Sequence, residues 1–156
     1  MKETIPFEWD GDFKLGYAPM DEVHEEFVAI VREMRACADD ALVIHLRRFE
    51  VHARDHFDQE RHWMRVSGFP AAECHIAEHD AVMRSVDEVL DRVLLGGPAA
   101  EVRRLAEALA HWFPAHADYL DAALAQWLVK QTTQGVPVVF RRKESIGRRG
   151  VRGGES

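Results

Sequence analysis

The stretch His56-Phe57-Asp58-Gln59-Glu60, with His75-Ile76-Ala77-Glu78-His79 beginning nineteen residues after His56, decides how this chain is read. Residues four apart on an α-helix lie on one face, about 6 Å of rise apart. His56 and Glu60 can therefore reach one centre, and His75 with His79 forms a second such pair. Both pairs interrupt stripes that are otherwise apolar. The first stripe runs Leu42, Leu46, Phe49, Ala53, His56, Glu60, Trp63 and Met64, and Ser67-Gly68 stops it. The second runs His75, His79, Val82, Val86, Val89 and Val93, and ends at Gly96-Gly97. Asp39 or Asp40 is placed to cap the first helix and Pro70 to start the second.

The same pattern extends in both directions. Upstream, Pro19 suits a first helical turn, and Met20, Val23, His24, Phe27, Val31 and Met34 keep helical spacing as far as Cys37 or Ala38. Downstream, Pro98 can open a helix carrying Val102, Leu105, Leu109, Trp112, His116, Leu120 and Leu124 towards Lys130. Four amphipathic helices with short connections predict an all-α, up-down-up-down four-helix bundle over residues 19–130. Residues 1–18 hold Phe7, Trp9, Phe13, Leu15 and Tyr17 without a helical period, which predicts an extended N-terminal arm laying aromatics over a core edge. Residues 131–156, rich in glycine and arginine, read as a flexible basic C-terminal tail.

Bulk properties narrow the class. A chain of 156 residues, 47% apolar, can bury the core of one domain. No apolar run is long enough to span a membrane, and Met1-Lys2-Glu3-Thr4-Ile5-Pro6 lacks the pattern of a secretory leader, so a cytoplasmic protein is expected. Cys37 and Cys74 are too few for a disulfide framework and read as ordinary buried or semi-exposed thiols. The net charge of −7 is uneven: residues 131–156 carry six Lys/Arg against two Glu, so the first 130 residues carry −11. An acidic body argues against nucleic-acid binding over a broad surface. The basic tail is where a protein partner would be sought, and a monomer is expected.

A single histidine on an apolar face is usually a satisfied core or boundary residue, and one i,i+4 pair is weak evidence for a metal. Here all four predicted helices place ionisable residues on apolar stripes: His24, His56 with Glu60, His75 with His79, and His116 with Asp121. Burying such groups unpartnered costs on the order of 2–7 kcal/mol each, more for a carboxylate. A bound metal pair removes that conflict, since neutral imidazoles supply lone pairs and carboxylates can bridge. Nitrogen and carboxylate together suit iron or manganese.

These residues resemble the hemerythrin family, in particular its single-domain bacterial members. The elements that carry the resemblance lie over roughly residues 7–128: Trp9, Gly16, Met20-Asp21-Glu22-Val23-His24, His56-Phe57-Asp58-Gln59-Glu60 with Met64, Gly68-Phe69-Pro70, His75-Ile76-Ala77-Glu78-His79, and Trp112-Phe113-Pro114-Ala115-His116 followed by Asp121. Five histidines, one Glu and one Asp fill the family's seven ligand positions in order. The resemblance implies two iron ions in a four-helix bundle, bridged by carboxylates and an oxo or hydroxo group. It also implies that His75, His79 and His116 hold one iron, His24 and His56 the other, and that Glu60 and Asp121 bridge. The iron with fewer histidines would keep a position open for dioxygen, bound reversibly.

The spacing of His116 and Asp121 conflicts with a regular helix. Five residues advance an ideal helix by about 140° beyond one turn, so both side chains cannot face one centre. The fourth helix is therefore expected to bend or bulge, with Pro114, which is not part of the family pattern, as a contributor. Reversible binding also needs walls that exclude water, for which Phe27, Phe57, Met83, Leu109 and Trp112 are candidates. Carboxylate or carbonyl acceptors are expected behind the ligand imidazoles but cannot be assigned from spacing. His45, His52, His62 and His111 fall outside the pattern. His52, one turn before His56, is read as a boundary residue or as a group behind the centre. Cys74 should point off the ligand face.

Three functions follow as expectations: a non-enzymatic dioxygen binder for storage, delivery or buffering; an oxygen or redox sensor acting through the arm or tail; and, less in keeping with a histidine-rich site, a di-iron oxidase or peroxidase.

Overall fold

The structure, a computed structural model, describes residues 5–133. Residues 1–4 of the expected arm and, from residue 134 onward, the expected basic tail lie outside the described residues.

Helix α1 spans Ala18–Ala36, α2 Leu42–Ser67, α3 Ala72–Leu94 and α4 Ala99–His116; a π turn, Ala117–Asp121, joins α4 directly to α5, Ala122–Thr133. The α4–π–α5 run forms the fourth rod of an antiparallel bundle. α1 packs on α2, α2 on α3, α3 on α4 and α4 back on α1, which closes the ring expected from short connections. Among the described residues there is no strand, and no helix is long and apolar enough to cross a membrane.

The connections show which local signals acted. Pro19 lies in the first turn of α1. Just before it, the buried Asp21 carboxylate accepts the Leu15 N–H at 2.7 Å and the Gly16 N–H at 3.0 Å, pinning the arm where Gly16 turns with φ 91°. Neither Asp39 nor Asp40 caps α2: they lie in a short 3-10 turn, Asp39–Ala41, and α2 has no side-chain cap. Arg103 of α4 takes Asp39 at 2.7 Å instead, and donates to the Cys37 carbonyl at 2.7 Å and the Arg35 carbonyl at 3.3 Å. Carbonyls at the end of α1 are thus satisfied from across the bundle, and that competing cation is what draws Asp39 away.

Gly68 ends α2 in the left-handed region, φ 69°, a conformation only glycine adopts without strain. Pro70 sits in the turn that follows rather than at the start of α3, which begins at Ala72. At the next connection Gly97 donates to the Arg92 carbonyl at 2.9 Å, and a Cβ there would stand 2.8 Å from that oxygen.

Two apolar clusters fill the bundle. The larger includes Phe27, Val31, Met34, Leu46, Phe49, Val86, Leu105, Leu109 and Phe113; the smaller includes Tyr17, Met20, Met64, Ile76, Leu124 and Leu128. Along every rod, ionisable residues separate members of the two clusters: His24 lies between Met20 and Phe27, Glu60 between Phe57 and Met64, and Asp121 between Phe113 and Leu124. The arm closes the larger cluster, with the Phe7 and Phe13 rings at 6.0 and 5.4 Å from Phe113 and Trp9 stacked on Phe13 at 5.8 Å.

Candidate metal centre

Each rod delivers its polar residues through its own helical register. α1 contributes His24, α2 His56 and Glu60, and α3 His75 and His79, whose rings lie 4.5 Å apart. The fourth rod solves its five-residue spacing with the π turn. The Ala122 N–H bonds back to the Ala117 carbonyl, so five residues complete the turn that four would ordinarily make, and Asp121 returns to the face of His116. Its Oδ1 stands 3.2 Å from the His116 Nε2. The expected irregularity is thus a bulge beginning three residues beyond Pro114, which itself lies inside α4.

All seven residues are buried, with Glu60, His24, His75 and Asp121 fully so. The two carboxylates divide their oxygens between two sets of histidines. Glu60 Oε2 faces His56 Nε2 at 2.8 Å and His24 Nε2 at 3.6 Å, while Oε1 faces His75 Nε2 at 3.3 Å and His79 Nε2 at 3.5 Å. Asp121 Oδ2 faces His24 Nε2 at 3.1 Å, while Oδ1 faces His75 at 2.9 Å and His116 at 3.2 Å. His79 and His116 converge with their Nε2 atoms 3.0 Å apart. Two clusters suited to a cation result, one of Glu60, His75, His79, His116 and Asp121 and one of His24, His56 and Glu60.

Electrostatics point to the same use. Burial lowers the basicity of His24 and His75, but Asp121 and Glu60 outweigh it and hold each imidazole up at about 9. Burial dominates at His79, with His75 and His116 adding to it, and pushes that ring down to about 3. Burial and mutual repulsion raise the Glu60 carboxyl, and the facing His56 and His24 reverse this and hold it below the ordinary range. Asp121 is likewise held well below its usual value, burial being overcome by His116, His24 and His75.

Several buried atoms nevertheless lack a hydrogen-bond partner: His24 Nε2, His75 Nε2, Glu60 Oε1 and both Asp121 oxygens. Buried polar groups that converge without well-aligned hydrogen bonds carry a large desolvation cost, and coordination to a cation offsets it. The donor set, imidazole nitrogen with shared carboxylate, fits first-row transition metals.

The sequence profile of the hemerythrin HHE cation binding domain matches residues 15–128. A bacteriohemerythrin of Ralstonia nicotianae is 32% identical over 124 residues, 80% of this chain and 90% of the relative. One from Aquifex aeolicus is 31% identical over 121 residues, covering 74% and 92%. The chain belongs to the hemerythrin family. Among solved structures no match was found.

Within this hemerythrin the seven residues expected from sequence come together at one place. The five expected wall residues are distributed more widely. Phe27 lies 6.4 Å from the His56 ring, Phe57 stacks on His79 at 3.9 Å, and Trp112 stacks on His116 at 4.3 Å. Leu109 is buried in the larger cluster and Met83 packs half-buried against it. Phe113, absent from the expected stripe, is the buried ring beside His24, at 5.2 Å, and it stacks on Phe27 at 4.7 Å. The expected stripe advanced from Leu109 to Trp112 and His116; the structure buries Phe113 and leaves Trp112 half-buried at the edge. The only sequence signal for Phe113 was its four-residue step from Leu109.

Outside the centre, His62, His111 and Cys74 are exposed, and Cys37 and His45 are half-buried. His52 is a half-buried boundary residue 6.0 Å from the His56 ring, hydrogen bonded to the Val23 backbone, and burial lowers its basicity.

Proposed function

We propose that this hemerythrin holds two iron ions and binds dioxygen reversibly, for storage, delivery or buffering of oxygen. The observation that carries this reading is the division of the Glu60 and Asp121 oxygens between histidine sets of unequal size. His75, His79 and His116 would hold one ion, His24 and His56 the other, and each carboxylate would span both. When bound, the ferrous pair supplies the electrons that hold oxygen reversibly. The protein's own part is to orient five imidazoles and to keep water away. Phe27 and Phe113, fully or nearly fully buried beside His56 and His24, would wall the ion with fewer histidines, the side on which oxygen would bind.

Five histidines against two carboxylates favour binding over oxygen activation, since oxygen-activating di-iron bundles draw on more carboxylates. The test is anaerobic reconstitution with ferrous iron, followed by optical spectra through cycles of oxygen addition and removal. A visible band that appears with oxygen and disappears on its removal is expected. Irreversible bleaching to the ferric state in the first cycle, or turnover of peroxide with an electron donor, would refute the reading.

A sensing role has one specific support. Phe7 and Phe13 of the arm rest on Phe113, whose ring edge meets His24, so the arm contacts the centre through one side chain. Identical protease sensitivity of the arm in the deoxy, oxy and ferric states would remove that support.

A further inference from the structure

One residue behind the centre has a geometry that the ligand assignment leaves unused. Nδ1 of His24, His56 and His75 has no hydrogen-bond partner, whereas Nδ1 of His116 lies 2.7 Å from Glu78 Oε1. The same oxygen accepts the Trp112 indole N–H at 3.1 Å, and the Trp112 ring lies over His116 at 4.3 Å with an interplanar angle of 27°. One carboxylate oxygen thus ties a ligand ring and the aromatic plate covering it into a single unit that bridges α3 and α4.

We propose that Glu78 is a positioning residue for the three-histidine metal and tunes its redox balance; this rests on the di-iron reading above. A hydrogen bond from Nδ1–H to a carboxylate fixes the tautomer, so that the Nε2 lone pair of His116 points at the centre. A carboxylate acceptor also makes the imidazole a stronger donor, and a stronger donor stabilises the ferric form. In loaded protein, Glu78 would therefore favour longer retention of oxygen. The Glu78 side chain is 40% exposed, at the wall of a surface groove of about 320 Å³ that also reaches Trp112 and His116, so its charge keeps contact with water. It therefore supplies a negative charge behind His116 without a full desolvation cost, unlike Glu60 and Asp121, which are wholly buried.

Glu78→Gln and Glu78→Ala separate geometry from charge. Gln can still accept both N–H groups through its carbonyl oxygen; Ala can accept neither. In metal-free protein, nitrogen-15 NMR should give His116 protonated at Nδ1 and a downfield Trp112 indole N–H in wild type and Glu78→Gln, with both signatures lost in Glu78→Ala. In ferrous-loaded protein, Glu78→Ala should lose iron affinity by about 10–100-fold, the size of effect typical for groups behind a metal ligand. Glu78→Gln should keep its iron but show a higher reduction potential and faster oxygen release. Unchanged NMR signatures in Glu78→Ala overturn the proposal, and so does an unchanged potential in iron-replete Glu78→Gln. Should wild-type protein take up iron and fail to bind oxygen, the functional reading falls, while NMR, iron retention and potential still decide the role of Glu78.

Discussion

Asp121 Oδ1 stands 3.2 Å from His116 Nε2 although five residues separate them along one continuous helical rod. The π turn accommodates the extra residue, so the chain on either side keeps its register: Phe113 and Leu124 both remain core residues. Removing one residue from the turn should let it relax into a regular helical turn without rotating α5. Deletion of the exposed Asp118 is therefore expected to leave a folded, cooperatively melting bundle in which Asp121, now four positions after His116, still faces the centre and iron is retained. Deleting the exposed Ala108 within α4 should instead rotate everything beyond it by about 100° and unfold the protein. Circular dichroism melts and iron stoichiometry compare the two; an unfolded Asp118 deletion would contradict this account of the turn.

Phe113 joins the arm, the larger core cluster and His24. Truncation to Ala leaves a cavity under the arm and should destabilise metal-free protein by about 3–5 kcal/mol. In loaded protein it should also speed oxidation to the ferric state, because water gains access beside His24. Chemical denaturation and the decay of the oxygenated spectrum measure the two effects. A loss under about 1 kcal/mol would show that the arm does not depend on this ring.

That residue also marks what sequence could convey. The stripes over α2 and α3 were legible because their polar members recur at four-residue intervals among leucine, phenylalanine and valine, and the five-residue step to Asp121 announced an irregularity. Which of the adjacent residues Trp112 and Phe113 turned inward was not legible, since both fit a helical step from Leu109 or Ala108 and only packing against Phe27 and the arm decides. The Asp39 cap failed because Arg103, sixty-four residues away, competes for the carboxylate. Glu78 sits inside the quoted motif, yet its partners are Trp112 and His116 of another helix, and no local spacing encodes that contact.

Stability of the metal-free protein should peak near neutrality. His24 and His75 are held up at about 9 in the folded state, so their contribution is complete below the ordinary value of 6.5 and is lost as pH rises through about 9. Glu60 and Asp121 are held down, so theirs is present above the ordinary values of 4.5 and 3.8 and is lost on acidification. His79, pushed down to about 3, is neutral when folded and adds to the acid loss below 6.5. Metal must displace protons from His24 and His75, so iron affinity should climb with pH up to about 9, where those protons are already lost. Potentiometric titration during anaerobic iron addition checks this; uptake of metal without proton release would contradict it.

Glu60 and His56 are one turn apart and should fail differently. Glu60 presents one oxygen to each histidine set, so on the di-iron reading Glu60→Ala would remove a ligand from both metals, and it leaves His24 and His75 with Asp121 as their shared counter-charge. Breaking such a buried cluster costs about 3–5 kcal/mol, so metal-free Glu60→Ala should also be less stable by that order. His56→Ala withdraws a ligand only from the set with two histidines. An iron at His75, His79 and His116, as proposed, should stay, giving one iron per chain at intermediate chelator strength where wild type would keep two. If oxygen binds on the side of His24 and His56, as proposed, that half-loaded protein should show no reversible oxygen spectrum. Iron analysis after graded chelator treatment reads the occupancies, and equal retention in the two variants would break the assignment of unequal halves.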